Sequence, residues 1–287
     1  MAQGHSWAAI AVEVGQADCI GCPMSTIAFE ARRFQSTAAY YLRYRVPYPD
    51  TLIARVANRC GLKIGDPLLD LGCGPAQLGT AFARLGADVT AMDPEPEMLA
   101  AAREGAREAG VEMVVRQGSS YDLGPDIGPL KLAVMGRSFH WMDRAATLDA
   151  LDRLVVPGGA VVLFHDTHIA MNPDGRKIIQ QLGETFSPER SADSAIRRSS
   201  EWPRHESILL RSAFNNLESI GIFRERHPGI DDLVGRAFSM STTSPQVLGE
   251  AAAPFEAALR QALSEAAPDG KFTEIVESKA LLAFRSE

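Results

Sequence analysis

The chain has 287 residues, 46% of them hydrophobic, and a formal net charge of -7 at pH 7, which suits a globular protein with a substantial core. An acidic balance argues against a surface that tracks phosphates, because that needs clustered Lys and Arg, so the expected partners are small molecules and not nucleic acid. No apolar run approaches the roughly 18–20 residues of a membrane span, no basic-then-apolar leader opens the chain, and four cysteines suit a reducing compartment; the expectation is a cytoplasmic protein with no membrane partner.

Residues 1–23 lack sustained periodicity and are expected to form a flexible N-terminal extension. Cys19 and Cys22 within it make a CxxC, but no second pair follows at zinc-site spacing and no strand precedes it. Ser25 is a candidate N-cap for a helix that runs to Arg45 and is ended by Pro47 and Pro49; a second helix spans Asp50 to Leu62, closed by Gly61. From Pro67 short apolar runs alternate with helical segments, the pattern of a parallel sheet covered on both faces. Strands are predicted over 67–71, 88–92, 112–116, 131–136 and 159–165, with helices over 77–86, 95–109 and 143–154.

Beyond Asp166 the order loosens. Residues 172–204 contain Pro, Gly, Ser and many charges and read as an insertion over the sheet. A helix at about 205–214, a strand at 217–226, a short helix at 231–238 and a helix at 246–265 follow. A final strand in FTEIVESKALLAFR is expected to pair hairpin-like with 217–226. The fold expected is a doubly wound, mostly parallel α/β sheet of seven strands with a C-terminal antiparallel strand. Residues 24–287 form one domain in this reading, with 172–204 and 228–246 as helical lid insertions.

The stretch LLDLGCGPAQLG, Leu68 to Gly79, falls where such a sheet binds ligands, at the carboxyl end of its first strand. Gly72 and Gly74 permit a tight turn and a close approach to the backbone, and the helix opening at Gln77 turns free N–H groups to the site. Asp93 ends the second strand about 20 residues later, where a carboxylate can accept both hydroxyls of a ribose; it can equally cap the helix that follows. The spacing is not the GxGxxG that seats a pyrophosphate, and Asp70 before the first glycine is expected to repel a diphosphate and attract an ammonium or sulfonium group.

DLGCGPAQLG, AMDPEPEMLAAAR, QGSSYDL, MGRSFHWMD and LVVPGGAVVLF together resemble the successive cofactor-site motifs of class I S-adenosylmethionine-dependent methyltransferases. The branch most closely resembled contains trans-aconitate methyltransferase and related small-molecule enzymes. The resemblance implies the Rossmann-like methyltransferase fold, S-adenosyl-L-methionine as cofactor, and roles for particular residues. Asp70, Gly72 and Gly74 would cradle the amino-acid part, with Cys73 and Gln77 close by. Asp93 would hold the ribose, and Pro94 and Met98 would lie against the adenine. Ser119, Ser120 and Tyr121 would border the adenine edge, Met135, Gly136, Arg137 and Ser138 the methionine side, and Tyr44 and Arg45 would close the site. Two departures stand out: Ala76 replaces the usual third glycine, and Lys131 stands where the family commonly has Asp.

Methyl transfer from a sulfonium is an in-line displacement, so positioning supplies much of the rate and a base is needed only for a protonated acceptor. His140 and His165 are the candidate bases; for His140, packing within a family-wide turn is the equal alternative. Trp141, Asp166, His168, Trp202 and His205 are candidates for acceptor contact, Asp166 being also a candidate to orient a histidine. A metal role for the His165–His168 cluster is not expected, since acidic partners are not evident. If the acceptor is a carboxylate, Arg45, Arg137 or Arg204 could neutralise it. Two other readings stay open: a cofactor-binding protein of the same fold that does not methylate (a cyclase, decarboxylase or regulatory partner), and a nicotinamide-dependent oxidoreductase, which the loop spacing disfavours. The sequence leaves the acceptor and the oligomeric state open, a homo-oligomer included.

Overall fold

A computed structural model describes residues 37–190, 195–196 and 199–286; the expected extension, the CxxC and Ser25 lie outside them. Seven strands form one sheet: β1 (Pro67–Leu71), β2 (Asp88–Asp93), β3 (Val114–Gln117), β4 (Leu130–Gly136), β5 (Val155–Asn172), β6 (Asn216–Arg226) and β7 (Thr273–Phe284), in the order β3-β2-β1-β4-β5-β7-β6. The first five pair in parallel, and β7 runs antiparallel to both β5 and β6. Among the described residues no helix is long and apolar enough to cross a membrane.

Side chains alternate between the two faces of a strand, and here both faces are buried. Leu68, Leu132, Val134 and Val162 pack with Leu52 and Val56 of α2 (Asp50–Arg59) and Phe82 of α3 (Gln77–Arg84). Their neighbours Leu69, Ala133, Met135 and Leu163 pack with Leu148 and Leu151 of α5 (Arg144–Asp152). In a separate cluster α4 (Pro96–Ala109) lays Leu99 and Ala102 against Ala76 and Ala91. This double burial is why these strands are continuous apolar runs.

A fourth apolar cluster is built mainly from helices, with Met171 at the end of β5 packed against it. Ile179 of α6 (Gly175–Phe186), Leu233 and Phe238 of α8 (Ile230–Phe238), and Phe255, Leu259 and Leu263 of α10 (Ala252–Ala266) share it. Three shorter α-helices are α1 (Ala38–Tyr44), α7 (His205–Leu209) and α9 (Pro245–Leu248).

Several elements differ from their sequence reading. β5 does not end at residue 165: it continues through HDTHIAMN because His165 to Asn172 pair with Lys279 to Thr273 of β7. That segment has no clean alternation of its own, so a partner far along the chain makes the strand. The helix expected over 246–265 is interrupted at Gly249, whose φ of 54° no helix accommodates. The helix expected at 205–214 stops after five residues. Lys131, the departure before the fourth strand, donates from Nζ to the Gly158 carbonyl at 2.9 Å and ties β4 to the start of β5.

Candidate active site

Two adjoining cavities lie along the carboxyl ends of the parallel strands, where the winding reverses between β1 and β4. The smaller encloses about 320 Å³ and the larger about 620 Å³.

The smaller cleft is built on the glycine turn. Gly72 and Gly74 have φ of 64° and 54°, a left-handed conformation that glycine adopts without strain. At Gly72 space is also decisive, since a Cβ there would lie 2.6 Å from the Ser138 Cβ. Ser138 is held in place by donating its hydroxyl to the Leu71 carbonyl at 2.8 Å. Ala76 adopts φ 54° as well, so the residue that replaces the third glycine carries strain of about 1–2 kcal/mol at the site. Opposite the turn, Asp93 accepts from the Gly74 N–H at 2.8 Å and from the Glu95 N–H at 2.9 Å. A carboxylate has about four acceptor positions, so Asp93, which lines the cleft, keeps capacity for a ligand. Burial raises its pKa, and the two backbone donors oppose that rise.

Most of the expected cofactor residues meet here: Arg45, Gly72, Cys73, Gly74, Asp93, Pro94, Met98, Ser119, Ser120, Tyr121, Gly136, Arg137 and Ser138 all line the smaller cleft. The Ser119 hydroxyl and N–H both donate to Asp122 at 2.8 Å, which fixes the turn after β3.

Asp70 and Gln77 do not line it. Asp70 is 1% exposed and accepts from the Gly79 N–H at 2.8 Å, so it pins the first turn of α3 from beneath and does not face a ligand's ammonium or sulfonium group. Gln77 opens α3 outside the cavity wall. Tyr44 is also displaced: its ring packs on Gly235 of α8, where an added Cβ would lie 2.2 Å from it. Residues four apart share a helix face, and the residue that accompanies Arg45 into the cleft is Tyr41. Met135 lines the larger cavity and Trp141 the smaller, the reverse of the expectation. Sequence reasoning also missed Glu95, Met142, Met240 and Thr242 in these walls. The spacing from Arg45 could have found Tyr41; no local signal marks Met240 or Thr242.

Four of the chain's six histidines, His140, His165, His168 and His205, line the larger cavity. Burial lowers the pKa of His165, assisted by Lys279, and takes that of His205 down to about 4, assisted by Arg144. The segments expected as lids supply α6 and residues 240, 242 and 243 to its walls.

Asp166 lines the same cavity but does not orient a histidine: it pairs with the Arg137 guanidinium and accepts from the Ser278 hydroxyl at 3.1 Å. Arg137 also donates to the Tyr41 hydroxyl at 3.3 Å and stacks 4.4 Å from the Tyr48 ring centre. It is therefore a clamp between β4, β5 and the segment after α1, not a free cation for a carboxylate. Arg204 is exposed outside both cavities. Trp202 is buried beneath the Arg144 guanidinium, 4.5 Å from it, and does not reach the cavity. Among the described residues no group of three or more His, Cys, Asp or Glu side chains is arranged to hold a metal ion.

Arg45, Arg137, Ser138, His140, Met240 and Thr242 line both cavities and so form the neck between them. His140 is the only histidine in that set. A neutral imidazole can take a proton from a group that arrives at the neck from either side.

Residues 68–159 match a family described as a methyltransferase domain. An uncharacterized methyltransferase of Mycobacterium bovis is 31% identical over 161 residues, covering 55% of this chain and 61% of the relative. A ubiquinone biosynthesis O-methyltransferase of Xylella fastidiosa is 39% identical over 106 residues, 36% of this chain and 43% of that protein; the chain thus matches less than two thirds of the length of either. Among solved structures, a methyltransferase from Thiobacillus denitrificans in complex with S-adenosyl-L-homocysteine superposes with a TM-score of 0.50 at 16% identity, over 90% of this chain and 99% of that one, which shows the shared fold. Residues 68–159 thus match a methyltransferase domain, and the seven-stranded sheet built around them has the fold of that solved S-adenosylmethionine-dependent methyltransferase.

Proposed function

We propose that the chain binds S-adenosylmethionine in the smaller cleft and transfers its methyl group through the neck to a small-molecule acceptor in the larger cavity. The observation that carries this reading is the neck itself: two cavities at the sheet's switch point share one wall of six residues, His140 among them. The cleft fits the cofactor in its donor set. Asp93 retains acceptor positions for ribose hydroxyls, Met98 and Pro94 offer apolar surface to an adenine, and the side-chain-free turn at Gly72 and Gly74 lets a ligand reach the backbone. When bound, the cofactor supplies an electrophilic methyl on a sulfonium.

The protein's own part is placement and proton removal. Arg137, fixed by Asp166, and Ser138, fixed by the Leu71 carbonyl, hold the neck rigid, which favours a collinear approach. His140 takes the proton of an acceptor hydroxyl or amine. An oxygen acceptor is the favoured case, in keeping with the relative named as an O-methyltransferase. The α6 segment and residues 240–243 cover the acceptor and exclude water.

Calorimetry with S-adenosylhomocysteine and NADH tests the cofactor: tight uptake of NADH with indifference to S-adenosylhomocysteine ends the proposal. Incubation with labelled S-adenosylmethionine and a metabolite extract then identifies the product. With that acceptor, His140→Ala should lower kcat about a hundredfold or more while S-adenosylhomocysteine affinity stays within twofold; unchanged turnover would remove His140 from its role.

A further inference from the structure

Resting on the reading of the larger cavity as an acceptor site, we propose that His168 and His205 are locked there as opposite tautomers. Together they select a small molecule with a hydrogen-bond donor, a hydroxyl or N–H, at one position and a carbonyl-type oxygen at another. Both residues line that cavity, from the β5 extension and from α7.

His168 faces a carboxylate. Its Nδ1 lies 3.2 Å from Oε2 of Glu274, a side chain with no exposed surface. Arg236 donates to both oxygens of Glu274, at 2.7 and 2.8 Å, and Arg226 adds a contact at 2.9 Å. Burial works against charge on Glu274, but the hydrogen bonds from His168 and Arg236 outweigh it and keep the group ionised, with a pKa well below the usual range. An ionised carboxylate only accepts, so the proton between them belongs to His168 Nδ1. Two guanidiniums already surround this one carboxylate, and Arg176 donates to the His168 carbonyl at 3.2 Å. Nε2 on the opposite edge is then a lone-pair acceptor.

His205 faces a cation. Arg144 Nη1 lies 3.3 Å from His205 Nδ1, and a guanidinium only donates. Nδ1 is therefore the acceptor, and the proton sits on Nε2. Arg144 is set for this task by a 2.7 Å bond to the Pro203 carbonyl and by the Trp202 ring beneath it. Burial and the Arg144 charge push the His205 pKa down to about 4, so the ring is a neutral, fixed donor. The same side-chain type thus presents a lone pair at one point and an N–H at another. A ligand that lacks either complement leaves a buried polar group unpaired, which weakens binding about ten- to hundredfold.

Glu274 and Arg144 act through the histidines and are positioning residues. Long-range ¹H–¹⁵N correlation spectra of the full chain labelled at histidine, recorded at pH 8 and assigned with His168→Gln and His205→Gln, read each tautomer directly. The expected pattern is His168 protonated at Nδ1 alone and His205 at Nε2 alone. Equal tautomers, or a doubly protonated His168, would overturn the proposal, and the wild-type spectrum decides even where a variant does not fold. Neutral probes test the selection without involving the arginines: 4-hydroxyacetophenone should bind at least tenfold more tightly than phenol or acetophenone, and His168→Phe should erase its advantage over acetophenone. Binding of all three within threefold would overturn it. Neither measurement uses turnover, so failure to bind S-adenosylhomocysteine would count against the methyltransferase reading while leaving the tautomers to be judged by their own spectra.

Discussion

The two cavities hold their buried carboxylates in opposite ways. At the smaller, Asp93 in the wall and Asp70 beneath it accept from backbone N–H groups only 19 and 9 residues away. Behind the larger, Glu274 accepts from side-chain cations and from His168, 106 residues away; two of these partners, Arg236 and His168, line the cavity. A backbone donor comes with any properly formed turn, whereas a side-chain cation must be delivered by the packing of a distant element. The smaller cleft is therefore a property of local strand-to-turn geometry, and the larger cavity a property of how β5, β7 and α8 assemble.

Removing the partner that the distant cations share should produce the largest effect. Glu274→Ala leaves Arg236 and Arg226 facing each other around an empty place, and Arg236 is buried; loss of one member of a buried ion pair costs about 3–5 kcal/mol. Urea denaturation should register that loss, while S-adenosylhomocysteine affinity of the folded variant stays within twofold. A comparable loss of cofactor affinity would show that the two regions are not separable.

The pH dependence of stability sharpens the contrast. Burial raises Asp70 from 3.8 to about 7, helped by the neighbouring Asp93 charge and opposed by the Gly79 N–H. A raised carboxyl favours the folded state in its protonated form, so this contribution is fully present below about pH 4 and is lost as pH rises through about 7. With one pKa unit worth about 1.4 kcal/mol, the loss is at most about 4 kcal/mol. Glu274 has the opposite sign: its lowered pKa gives stability that is present above 4.5 and disappears on acidification. Denaturation midpoints between pH 4 and 8 should fall less steeply in Asp70→Asn than in the parent; parallel curves would show that Asp70 is not the group responsible.

Gly72→Ala is the smallest of the three perturbations. The added methyl meets Ser138 and the positive φ disfavours any Cβ, for a cost of about 1–3 kcal/mol. Calorimetry should find S-adenosylhomocysteine affinity reduced at least tenfold, because the strain falls in the turn itself. Unchanged affinity would mean that the turn does not approach the ligand.

Much of the smaller cleft is legible in the order of residues alone. Gly72, Gly74, Asp93 and Met98 can be placed because each follows or precedes a strand by a fixed number of residues, and the topology of a doubly wound sheet brings such turns together. Tyr44 was misplaced in favour of Tyr41 because a helix face depends on the exact phase of a short helix, and Asp70 because a residue within a strand can face the cleft or the helix layer. Around the larger cavity each of the four histidines is singled out by the sequence, only His165 and His168 as neighbours, but their partners are not. His168 and Glu274, His205 and Arg144, and Arg137 and Asp166 meet only after β5 has been extended along β7 and α7 has docked near α5.

The sequence by itself determined the alternation of strands and helices, the glycine turn and the acid that ends β2, because hydrophobic period and backbone conformational freedom act over a few residues. Only the tertiary structure decided the length of β5, the burial of Asp70, the shared neck at His140 and the charged partners of His168 and His205. Those depend on which distant groups exclude water from one another, and a hydrogen bond or ion pair carries no trace in the chain of the partner that folding will supply.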